Sequence, residues 1–164
     1  MKVKEILTAN PKVCTTTTNL AEAASFMWDY DCGIIPVVAD EGRVVGLITD
    51  RDICIAGATN NRHLSNIAVE EIMTGQVYSC APEDDVDEAL DTMQQCKVRR
   101  LPVIAADGTL EGILSINDLT LNAKETADKK VPGISFNDLV ETYKALCAHP
   151  VPAAQSGKST AATA

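Results

Sequence analysis

Two stretches of the chain carry short apolar runs interrupted by a turn. IIPVVA (34–39) leads through DEG into RVVGLIT (43–49), and LPVIA (101–105) leads through ADG into TLEGILS (109–115). Runs of this length, rich in Val and Ile and joined by a glycine turn, predict β-hairpins with Gly42 and Gly108 at positive φ. Ahead of each hairpin an amphipathic segment, Leu20–Tyr30 or Val86–Cys96, predicts a helix. Behind each hairpin, Thr49 and Ser115 stand where N-caps stand, so a further helix should open at Asp50 and at Ile116. A short amphipathic turn (Val3–Leu7; Val69–Met73) and a short extended piece (Val13–Thr16; Ser79–Ala81) complete each set. Pro82 and the acids Glu83, Asp84 and Asp85 are placed at a helix N-terminus, which suits proline in the first turn and carboxylates against the dipole. The helix from Ile116 is expected to run on to about Lys130, before Pro132 and Gly133. Ser135 with Asp138 three residues later reads as an N-cap box opening a helix that lasts to about His149. Phe136, Leu139, Val140, Tyr143 and Leu146 form its apolar stripe.

The two sets are one pattern used twice. Shifting the sequence by 66 residues aligns 3–53 with 69–119 without a gap, and fourteen of the 51 positions are identical. The matches include Glu5/Glu71, Thr8/Thr74, Pro36/Pro102, Gly42/Gly108, Gly46/Gly112 and Asp52/Asp118. Such self-similarity marks a duplicated supersecondary unit. Each copy has the order helix–strand–helix–strand–strand–helix. A lone copy of this size would bury only ~60% of its unfolded surface. The expected fold is therefore α+β: residues 1–66 and 67–130 packed as a pseudo-twofold pair, followed by the helix of 134–149. Residues 150–164, PVPAAQSGKSTAATA, are low in complexity and expected to be disordered. Their GKST is no phosphate-binding loop: Pro152 stands where the motif needs its first glycine, and no strand precedes it.

Charge narrows the partners. The 164 residues carry a formal net charge of −9, which opposes binding to nucleic acid or to an anionic membrane surface. No apolar run has the ~20 residues of a membrane helix, and the first residues lack a signal-peptide core, so the expected location is cytoplasmic. The six cysteines and two histidines show no CxxC or paired-ligand spacing, and no metal site is expected. Against this acidic background the basic group Lys97, Arg99 and Arg100 stands out.

Candidate chemistry lies at the strand-to-helix junctions, Gly46–Asp52 and Gly112–Asp118, each ending in [ST]-x-x-D. A hydroxyl at a helix N-terminus stands beside outward-pointing N–H groups that favour phosphate. A carboxylate one turn later can accept two hydrogen bonds from a ribose diol. The same spacing also describes a plain capping box, in which Asp52 and Asp118 serve only their own backbone. Arg99 and Arg100, adjacent at a strand entry, should point to opposite sides. They serve either as surface ion-pair partners or as a phosphate clamp. Gly33 and Ile34 occupy the matching positions of the first copy, so the two clefts should differ in phosphate affinity.

The doubled block, with its xPV turn, its G-[LI]-[IL]-[ST]-x-x-D ending and its leading [LM]-T, resembles a pair of CBS domains over roughly residues 2–125. The resemblance implies a Bateman module: two clefts between the repeats that bind AMP, ADP, ATP or another adenosyl ligand, in a chain that tends to form homodimers. By position, one cleft would use Thr8, Val13, Cys32, Gly33 and Ile34 with Arg100, Ser115, Asn117 and Asp118. The mirror cleft would use Thr74, Ser79, Val98 and Arg99 with Thr49, Arg51 and Asp52. The functional expectation is a regulatory adenine-nucleotide sensor, not an enzyme, without a catalytic residue or catalytic cofactor, that signals to an unidentified effector protein. Two alternatives stand beside it: a scaffold that binds its partner without ligand, and a thiol redox protein using Cys14/Cys80 or Cys32.

Overall fold

The computed structural model describes residues 1–124 and 133–148. In chain order the elements are β1 (Thr8–Ala9), β2 (Cys14–Thr15), α1 (Leu20–Asp29), β3 (Ile34–Val38), β4 (Val44–Thr49), α2 (Asp50–Thr59), α3 (Val86–Cys96), β5 (Arg100–Ile104), β6 (Leu110–Ser115), α4 (Ile116–Leu121) and α5 (Phe136–Cys147). Short 3-10 turns at Val3–Glu5 and Val69–Glu71 open the two repeats. The hairpins β3–β4 and β5–β6 form as expected, in matching registers: Ile34 opposite Thr49, Arg100 opposite Ser115. Gly42 and Gly108 sit at φ +75 and +89, the conformation that needs no Cβ. Thr49, Ser115 and Ser135 each cap their helix in a reciprocal box with an aspartate at N3.

The repeats do not fold side by side as closed units; each lends its opening segment to the other. β1 pairs antiparallel with β6, giving a sheet of order β1-β6-β5, while Thr74 bridges Leu47 on the free edge of β4 in the sheet β2-β3-β4. The backbone bonds keep the 66-residue offset. Val3 and Lys4 donate to the carbonyls of Asp84 and Pro82, and Val69 and Glu70 donate to those of Thr18 and Thr16. Val86 donates to Met1, as Leu20 donates to Ile67. The cores are exchanged in the same way. Val3 is fully buried among Val86, Met93, Leu101 and Leu114. Val69 is fully buried among Leu20, Ile35, Val37 and Ile48. The pseudo-twofold pairing thus rests on backbone ladders as well as on apolar contact.

This exchange explains the glycines kept in phase. A Cβ on Gly112 would lie 2.6 Å from Leu7 Cδ1 and 2.8 Å from the Thr8 carbonyl oxygen. On Gly46 it would lie 2.7 Å from Met73 Sδ and 3.0 Å from the Thr74 carbonyl oxygen. Each glycine makes room for the strand edge that the other repeat supplies.

Three expectations about the elements are corrected. First, α4 ends at Leu121 rather than near Lys130. Its C-cap is Asn122, and Lys124 then donates to the Ile134 carbonyl and bridges Ser135. Ile134 is wholly buried. Second, Pro82 lies before the helix and not in its first turn. Asp85 is the N-cap, and Pro82 serves through its carbonyl. Third, α5 buries Leu139 and Thr142, while Phe136, Val140 and Tyr143 stay exposed. α5 packs on α3, where Gln94 donates to the Thr142 hydroxyl at 2.9 Å. The expected stripe is therefore rotated toward Thr142, whose hydroxyl also donates to the Asp138 carbonyl. His149 and the tail 150–164 fall outside the described residues.

Candidate functional site

A cleft of about 710 Å³ opens between the repeats, lined by Gly33, Ile34, Leu47, Thr49, Asp50 and Arg51 of the first and Thr74, Gln76, Tyr78, Lys97, Val98, Arg99 and Arg100 of the second. Tyr143, Leu146 and Cys147 of α5 complete the wall. The local reasons are visible. Thr49 ends β4, and Arg51 lies in the first turn of α2. Thr74 reaches this cleft because its backbone bonds to Leu47 in both directions, at 2.9 and 3.0 Å. Lys97 ends α3 in the left-handed conformation (φ 54, ψ 41) and turns the chain into the arginine pair.

Of the residues assigned from sequence, Thr49, Arg51, Thr74, Val98 and Arg99 line this one cleft, and so do Gly33, Ile34 and Arg100. The family resemblance assigns the latter three to the opposite cleft. Arg100 sits close enough to Cys32 to favour its thiolate, against the stronger opposing effect of burial. Arg99 and Arg100 both line this cleft. β5 begins only at Arg100, so strand alternation does not govern Arg99. The cationic residues Arg51, Lys97, Arg99 and Arg100 all line this cleft, and among the described residues none of them has a carboxylate within ion-pair distance. The ion-pair reading of Arg99 and Arg100 finds no partner there.

The remaining assigned residues divide into groups. Thr8 meets Asp118: its hydroxyl donates to Oδ1 at 3.4 Å, across the β1–β6 pairing. Ser115 lies directly opposite Arg100 in the β5–β6 ladder. Thr8, Ser115, Asn117 and Asp118 thus gather at the mirror-related helix end. Val13, Cys32, Ser79 and Asp52 are not among the residues lining the described cleft. Sequence reasoning did not assign Leu47, Asp50, Gln76, Tyr78 or the α5 wall to a site, and it singled out Lys97 only as part of a basic group. The basic cluster pointed to Lys97; no signal in the repeat pointed to α5.

Both aspartates work as caps. Asp52 Oδ2 accepts from the Thr49 N–H at 3.0 Å and from its hydroxyl at 2.6 Å, and the Asp52 N–H donates to the Thr49 hydroxyl at 3.2 Å. Ser115 and Asp118 repeat the arrangement. The caps leave Asp52 Oδ1 without a protein donor among the described residues, so capping and ligand contact are compatible. The hydroxyls, by contrast, are engaged in both directions.

The helix ends differ. At α2 the Asp50 N–H donates to the Gly33 carbonyl, and the Arg51 N–H donates to the Asp50 carboxylate at 2.7 Å. The first-turn amides are already occupied, so attraction for an anion in this cleft rests on the cationic side chains. At α4 the residue matching Asp50 is Ile116, which offers no carboxylate to the Asn117 N–H.

The thiols are all free. Burial, with Glu22 adding to it, pushes Cys14 up to about 11. Burial and Asp84 push Cys80 up to about 12. Burial also raises Cys32. Reactive cysteines need the opposite shift, which counts against the redox reading. His63 is exposed and pairs with the Ser65 hydroxyl at 2.8 Å. Among the described residues no cluster of three or more metal-ligating side chains forms, and no helix is long and apolar enough to cross a membrane.

Comparison with known proteins adds the following. The family model described as CBS domain matches residues 3–58 and 69–124. The uncharacterized protein YlbB of Bacillus subtilis is 35% identical over 140 residues, spanning 84% of this chain and 93% of YlbB. The CBS domain pair of protein MJ0100, solved in complex with 5′-methylthioadenosine and S-adenosyl-L-methionine, is 28% identical. That match covers 74% of this chain and 94% of the other, with a TM-score of 0.67. CBSX2 of Arabidopsis thaliana, solved in complex with AMP, is 25% identical, covers 73% of this chain and 93% of its own, and has a TM-score of 0.65.

Proposed function

Because the chain belongs to the CBS-domain family and carries two such domains in tandem, we propose that it is a regulatory module that binds an adenine nucleotide and performs no chemistry on it. The observation that carries this reading is the convergence of Arg51, Lys97, Arg99 and Arg100, without carboxylate partners among the described residues, on one cleft of a chain with net charge −9. In an acidic protein such a cluster raises the local concentration of anions, and arginine matches phosphate with two hydrogen bonds at once. The phosphate end lies by Arg51 and Arg100, and Thr74 and Val98 border the nucleoside. A second, less cationic adenosyl site uses Thr8, Val13, Cys32, Ser115, Asn117 and Asp118. The adenosyl compounds bound by the MJ0100 pair and the AMP bound by CBSX2 support the ligand class.

Signalling follows from the exchanged strands. A ligand touching both repeats favours one arrangement of the two cores over others, and an effector protein in the cytoplasm reads the difference. A second copy covers the exposed Trp28 of α1, Tyr30 at its C-cap and Ile55 of α2, forming the homodimer. The test is thermal unfolding of the full chain with AMP, ADP, ATP, NAD or S-adenosylmethionine. A ligand at about 100 times its Kd adds ~2.7 kcal/mol, or roughly 5–10 °C in Tm for a chain of this size. No shift with any of the five refutes the nucleotide reading and leaves the ligand-independent scaffold.

A further inference from the structure

The cleft has an aromatic side as well as a cationic one. The chain contains three tyrosines, and two of them, Tyr78 and Tyr143, line this cleft. The third, Tyr30, stands near the Lys12 ammonium, which lies over the Phe26 ring. Tyr143 belongs to α5, outside both repeats. Helical spacing sets its neighbours: Leu139 and Thr142 are buried on the face toward α3, and Tyr143, Leu146 and Cys147 line the cleft beside it. With Leu139 and Thr142 anchored, the stripe bearing Tyr143 faces the opening. The end of the helix is also tied to the cationic rim, since Lys97 Nζ donates to the Ala148 carbonyl at 2.7 Å.

We propose that α5 is part of the ligand site, with Tyr143 the contact for the aromatic base of a nucleoside phosphate whose phosphate lies on the arginines. This rests on the nucleotide reading and assigns the base to a wall that the repeats do not encode. A tyrosine ring offers an apolar face to any base and is 40% exposed here, open to a ligand without repacking. Leu146 extends the apolar surface beside it. Lys97 belongs to both the phosphate rim and the α5 tether, so occupancy of the cleft bears directly on the helix end. α5 then reports the ligand as well as holding it.

The test compares AMP with ribose 5-phosphate, which keeps the sugar and phosphate but lacks the base, by calorimetric titration of the full-length protein. Tyr143→Ala is expected to weaken AMP about tenfold, within the range for loss of one base–aromatic stack, and to leave the Kd of ribose 5-phosphate within about twofold. Tyr143→Phe keeps AMP binding. On the unaltered protein, AMP is expected to slow amide exchange in residues 143–147. Three results overturn the assignment: AMP affinity unchanged in Tyr143→Ala, equal loss of both ligands in that variant, or no exchange protection in α5 despite AMP binding. If the unaltered protein binds neither compound, the nucleotide reading itself falls, an outcome distinct from those three.

Discussion

Replacing Gly112 by alanine tests whether the segment exchange stabilises the fold. Neither Gly46 nor Gly112 has a positive φ, so alanine meets no backbone strain and gains ~0.4–1 kcal/mol from a stiffer unfolded chain. The opposing term is steric. At Gly112 the new methyl lies 2.6 Å from Leu7 Cδ1 and 2.8 Å from the Thr8 carbonyl oxygen. The leucine tip can swing away; the carbonyl moves only if β1 leaves its register on β6. At Gly46 the nearest atom, at 2.7 Å, is the Met73 sulfur, and the Thr74 carbonyl is 3.0 Å away. A thioether adapts readily, and the backbone there need hardly move. Overpacking costs about 1–3 kcal/mol when the surroundings cannot yield. Gly112→Ala should therefore lose ~1–2 kcal/mol net and Gly46→Ala less than ~1, the first equivalent to roughly 3–6 °C in Tm. Urea unfolding followed by circular dichroism gives both values by linear extrapolation. Gly112→Ala as stable as the parent, or less damaging than Gly46→Ala, refutes the reasoning.

Other expectations follow from the site. Arg51→Ala should weaken AMP about tenfold or more, the loss of a hydrogen bond to a charged group being ~1.5–3 kcal/mol; titration calorimetry reads it. Asp50→Ala should do the opposite and tighten AMP several-fold, because it frees the Arg51 N–H and removes a negative charge whose repulsion near a surface is worth on the order of 1 kcal/mol or more; weaker binding contradicts the account of α2. Ser115→Ala should lower stability by ~1 kcal/mol with or without ligand, as loss of an N-cap does, measured by urea titration. Alkaline stability should reflect the buried thiols. Folding raises Cys14 from 9.0 to about 11 and Cys80 to about 12. Their contribution is complete below about pH 9 and is lost as pH rises from there through the folded values, by on the order of 3 kcal/mol for Cys14. A Cys14→Val, Cys80→Val double variant should lose less stability than the parent between about pH 8 and pH 11. Parallel curves refute it.

What could be read from the sequence was local or repeated. The hairpins follow from apolar runs around a glycine turn, and the three helix caps from Ser or Thr with Asp at a fixed spacing. The paired architecture follows from 66-residue self-similarity. The exchange of β1 and Thr74 was not legible, because a two-residue strand has no periodicity and its partner lies over a hundred residues away. In the residue pattern Gly46 and Gly112 were its trace, and glycine alone does not say what approaches; the family resemblance set Thr8 beside Ser115 and Asp118, and Thr74 beside Thr49. The end of α4 was not legible because Asn122 caps the helix and Lys124 then bonds to Ile134, a pairing that helical periodicity does not announce. Arg51, Arg99 and Arg100 were found by type, yet their meeting in one cleft depends on how the two cores are docked. Tyr143 escaped notice as a cleft residue because the seat of α5 on α3 is set by Thr142, a polar side chain in a stripe read for its apolar members.

The crossed opening segments carry a consequence for a severed chain. Each half, cut at the exposed Asn61, would retain the short piece its counterpart requires: the leading half brings Val3 and β1, the trailing half brings Val69 and Thr74. Two separately made polypeptides of this kind should find one another and rebuild the molecule, whereas either fragment alone lacks a strand edge and a core residue. Scission of the linker is therefore survivable, and loss of the first nine residues is not.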